Sequence, residues 1–79
     1  MQYDKDKVDE MVLALLYLTS SHHPAGTRAW KGFDWESLER LGGKGYLKNP
    51  QVKELSVVLS KEGETLSREL FFKHFNARE

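Results

Sequence analysis

Phe33-Asp-Trp-Glu-Ser-Leu-Glu-Arg-Leu-Gly-Gly-Lys-Gly-Tyr-Leu47 is the most sharply punctuated stretch of the chain. Asp34 is an N-cap residue, whose carboxylate can accept from the free amides of a first helical turn. Phe33 and Leu38 stand at the two positions of a hydrophobic staple around that cap. Trp35, Leu38 and Leu41 recur at helical spacing and predict one buried stripe. Gly45 stands where a helix closes in left-handed backbone, and Tyr46 where a Schellman motif lays the next apolar residue on Leu41. Gly42 and Gly43 fall inside the last turn, where each weakens a helix by about 1 kcal/mol relative to Ala. That end is expected to fray.

The neighbouring segments follow from this helix. Before it, Arg28-Ala-Trp-Lys31 reads as a short strand ended by Gly32. After it, Tyr46-Leu47 and residues 55–59 read as two strands joined by the loop 48–54, a β-hairpin. Ser60 caps a last helix running to about Phe75. Leu66 and Leu70 lie on one of its faces, and Phe71, Phe72 and Phe75 mostly on the other. A first helix opens at Asp4 as N-cap, with Tyr3 and Val8 as its staple. Val8, Met11, Val12, Leu15, Leu18 and Thr19 share one face of it, and Leu13 and Tyr17 fall opposite. Both outer helices are thus apolar on two sides, which predicts burial on two sides. Residues 20–26, Ser-Ser-His-His-Pro-Ala-Gly, read as a loop by their turn-forming composition.

A chain of 79 residues is one domain. At this size about 60% of the unfolded surface is buried, so support from a staple or a partner chain is expected. There is no Cys, which excludes disulfides and thiolate metal sites and fits a reducing compartment. The apolar run over residues 11–18 falls short of the roughly 20 residues of a membrane helix. The residues before it carry Lys5 and Lys7 against Asp4, Asp6, Asp9 and Glu10, unlike the positive leader of a secretory signal. A soluble, cytoplasmic protein is expected. Basic and acidic residues balance at 12 each. The middle of the chain leans basic, with Arg28, Lys31, Arg40, Lys44, Lys48 and Lys53 against Asp34, Glu36 and Glu39.

The order helix, short strand, helix, hairpin, helix predicts a mostly helical α+β domain, winged-helix-like but reduced. Leu41-Gly-Gly-Lys-Gly-Tyr-Leu47 followed by Ser56-Val-Val-Leu-Ser-Lys-Glu-Gly63 resembles the recognition-helix end, wing and following helix start of bacterial winged-helix regulators of the multiple-antibiotic-resistance (MarR) family. That resemblance implies a DNA-binding transcriptional regulator. Three segments together resemble a small uncharacterised bacterial domain family across nearly the whole chain: Asp6-Lys-Val-Asp-Glu-Met-Val-Leu-Ala-Leu-Leu-Tyr-Leu-Thr19, Gly26-Thr-Arg-Ala-Trp-Lys-Gly-Phe-Asp-Trp35 and Ser56-Val-Val-Leu59. The chain departs from that family's pattern at Gly42 and Gly43, where bulkier or charged residues are expected, which bears on helix stability.

A helix-turn-helix needs two helices and a turn before its wing. Only the 11 residues 34–44 lie between Phe33 and Gly45, enough for one helix. Glu36 and Glu39 on its outer face would meet phosphates unfavourably. Arg28, Lys31, Lys48 and Lys53 form the candidate nucleic-acid face. His22-His23 lacks the further ligands a metal needs, with only His74 elsewhere. Gly42-Gly43-Lys44-Gly45 lacks the phosphate-loop spacing and follows a helix instead of preceding one. Ser20, Ser21, His22 and His23 are chain neighbours, not a triad converging on a pocket. Trp30, Phe33 and Trp35 read as core first, and as a partner-binding surface second. No catalytic residue, metal or cofactor is expected. The reading is a protein-interaction or regulatory module, homodimeric through Leu13, Tyr17, Phe71 and Phe75, with a DNA-binding regulator as its rival.

Overall fold

A computed structural model describes residues 1–24, 26–30, 32–50 and 56–78. It is an α+β domain of three helices and a four-stranded antiparallel sheet. In chain order these are α1 (Lys5–Leu18), β1 (Ser21–His23), β2 (Gly26–Trp30), α2 (Trp35–Gly43), β3 (Leu47–Lys48), β4 (Ser56–Leu59) and α3 (Lys61–Phe75). The sheet order is β1-β2-β4-β3. The expected order of elements is present with one strand added.

All three helix starts lie at the residues whose side chains can cap them. Asp4 Oδ1 accepts from the Lys7 amide at 3.0 Å. Asp34 Oδ2 accepts from the Ser37 amide at 3.1 Å, and Ser60 Oγ from the Gly63 amide at 3.0 Å. The end of α2 is closed by backbone hydrogen bonds. The Tyr46 amide donates to the Leu41 carbonyl (3.0 Å) and the Gly45 amide to the Gly42 carbonyl (3.1 Å), the two bonds of a Schellman motif. Gly45 supplies the left-handed turn, at φ +87°. Gly42 leaves room for the ring of Pro50, into which a Cβ would intrude. Ser60 fastens the start of α3 to this corner, its amide donating to Tyr46 O at 3.0 Å and its hydroxyl to Gly45 O at 2.6 Å.

Residues 20–26, expected as a loop, contain β1, which pairs with β2 through Ser21↔Arg28, His22↔Thr27 and His23↔Gly26. Three residues of Ser and His show no alternating hydrophobicity, so the pairing is set by β2 and not by the segment itself. Ala25 lies outside the described residues, as do Lys31 and the hairpin residues 51–55. The described part of the hairpin pairs Leu47 with Leu59 and Lys48 with Val58.

One sheet face carries Thr27, Ala29, Leu47, Val57 and Leu59, all buried against the helices. Ala29, Leu47, Val57 and Leu59 join Val12, Leu13, Ala14, Leu16, Leu38, Leu41 and Leu70 in a single core. The first expected face of α1 is buried in part: Val12 lies in the core and Val8 packs against it. Leu13, placed outside by periodicity, is 1% exposed, while Leu18, placed inside, is 63% exposed. Met11 and Leu15, on the same side as Leu18, are half-buried. The cause is that α1 touches α2, α3 and β2. A helix surrounded on three sides is apolar over most of its circumference, and its periodicity no longer marks which side faces out. The predicted stripe of α2 holds for Leu38 and Leu41, but Trp35 is 45% exposed.

Candidate interaction surface

Tyr17 leaves α1 on the side facing α3. Its ring lies 5.6 Å from that of Phe71 and 6.3 Å from that of Phe72. Phe71 stands 5.1 Å from Phe75, one turn further along α3, and the Arg68 guanidinium sits 4.5 Å over Phe72. The second faces of the two outer helices therefore pack on each other within one chain. Of the residues predicted as a dimer interface, Leu13 belongs to the core, and Tyr17 and Phe71 are half-buried in this seam. Phe75 is 45% exposed at its end. Met11, Leu15 and Leu18 line one stripe of α1 at i, i+4, i+7, half-buried to exposed.

On the α2 side of α1 the interior is ionic. Asp9 is 1% exposed. Its Oδ1 accepts from Arg40 Nε at 3.0 Å and Nη2 at 2.8 Å. Its Oδ2 accepts from Arg40 Nε at 2.8 Å and from Lys44 Nζ at 3.1 Å. Lys44 also donates to Asp6 Oδ1 at 3.1 Å, and Arg40 Nη2 to Ser37 Oγ at 3.2 Å. Burial pushes the Asp9 carboxyl up, but the hydrogen bonds and charges of Arg40 and Lys44 outweigh it and hold the carboxyl below its ordinary range. Lys44 is raised, chiefly by its hydrogen bond to Asp6 and then by the one to Asp9. Sequence reading missed this network. The available signal was that Asp9, Leu13 and Leu16 share one stripe at i, i+4, i+7, which puts a carboxylate in line with the core.

A cleft of about 330 Å³ opens next to these charges, over Leu13, Leu41, Leu66, Leu70 and Tyr46. Lys7 Nζ and Glu10 Oε2 pair across its rim at 3.2 Å, and His74 Nε2 lies 3.3 Å from the same oxygen. The Glu10 carboxyl is lowered, first by Lys7.

The remaining predicted residues are dispersed. Thr27 Oγ1 donates to the Glu64 carboxylate and meets His22 Nδ1 at 2.7 Å. Both groups meet the same imidazole nitrogen side, so the cluster does not relay a proton through the ring as a triad does. His23 Nε2 pairs with Ser21 Oγ at 3.1 Å. Arg28 and Lys48 share the solvent side of the sheet, while Lys31 and Lys53 lie outside the described residues. Trp30 is 56% exposed, and its ring meets Phe33 edge-on at 6.4 Å. Trp30 is thus a surface ring against Phe33, which packs on the core.

Between β2 and β3, α2 is the single helix among the described residues. No helix among them is long and apolar enough to cross a membrane. The fold and its surfaces define a small α+β domain with an aromatic helix pair on one side and the sheet on the other. The chain belongs to the DUF6429 family, described as a domain of unknown function, whose model matches residues 4–77. It is 45% identical over 75 residues to the uncharacterized protein y4hR of Sinorhizobium fredii, covering 95% of this chain and 97% of that protein. No solved structure matches.

Proposed function

We propose that this domain is a non-catalytic protein-interaction module that works as a homodimer through the outer face of α1 and α3. The observation that carries the reading is the exposure of Leu18 (63%) and Phe75 (45%) beside the Tyr17–Phe71–Phe72 seam. A two-fold contact uses the same patch on both chains, so one apolar face suffices to make it. A small domain also gains support from the added burial. Light scattering tests this at tens of micromolar protein. The expected wild-type mass is about 18 kDa, two copies of a 9.2 kDa chain. Leu18→Glu with Phe75→Glu is expected to reduce it to one chain with the circular dichroism spectrum unchanged. Phe71 is left intact because it packs against the core. A monomeric wild type would refute the dimer, and a dimer that survives both substitutions would put the contact elsewhere.

A further inference from the structure

We draw no further inference here: the strongest candidate, the cleft of about 330 Å³ between α1, the end of α2 and α3, carries none, because the lysines on its rim pair with the carboxylates beside them and nothing in the structure shows what covers it.

Discussion

Asp9 is the residue on which the helical layer turns. Its carboxylate is removed from water and satisfied by Arg40 of α2 and by Lys44 just past that helix, so it ties the first helix to the second. Replacing a buried partner of such a pair leaves the others uncompensated, and Asp9→Ala is expected to cost on the order of 3 kcal/mol in a urea melt. The pH dependence has a definite sign. A carboxyl held below its ordinary value stabilises the fold above its unfolded pKa of about 4, and that stability is lost as the pH falls through the depressed value. Glu10, also lowered, adds in the same direction. Lys44 is raised, so its contribution is present below about 10 and is lost as the pH climbs past that. Melting temperature against pH should therefore show a plateau with an acid limb below about pH 4. Asp9→Asn should shrink the acid limb, and an unchanged limb would assign it to other carboxyls. Asp34 makes a simpler case. Its cap bond to the Ser37 amide predicts a loss of about 1 kcal/mol in Asp34→Ala, and an unaltered urea midpoint would show that bond to contribute nothing.

At the scale of the element, the residues with one local role were the legible ones. Asp4, Asp34 and Ser60 mark helix starts because a side-chain oxygen at an N-cap has a single geometry to adopt. Gly45 and Tyr46 mark the end of α2 for the same kind of reason. Gly45→Ala is expected to cost about 1–2 kcal/mol, because a side chain at that positive φ is strained. A thermal melt without loss would mean the turn can re-form. What sequence alone did not disclose is what depends on neighbours. Ser21-His-His23 is a strand because β2 offers it an edge, and nothing in its own pattern alternates. The side of α1 that faces the core is chosen by α2, α3 and the sheet together, so Leu13 and Leu18 exchanged places. Spacing puts Trp35 in the buried stripe, yet as the first residue of α2 it stays half exposed. The Asp9–Arg40 pair spans 31 residues, a separation that helical periodicity does not register.

At the scale of the molecule, the shortest dimension is 19 Å, the thickness of one helix layer on one sheet. Such a two-layer domain presents two broad faces, and here they differ in chemistry. The helical side offers Leu18, Phe75 and the half-buried rings of the seam, and the strand side offers Trp30 with Arg28 and Lys48. The first is the face proposed for a second copy. The absence of cysteine makes the pairing directly readable. A single cysteine introduced as Leu18→Cys can form a disulfide only with another chain. Glu36→Cys, exposed on α2, serves as the control. Mild oxidation at low micromolar protein, resolved on a non-reducing gel, should convert Leu18→Cys largely to covalent dimer while Glu36→Cys stays monomeric. Equal and slow cross-linking of the two variants would contradict a homodimer built on the α1–α3 face.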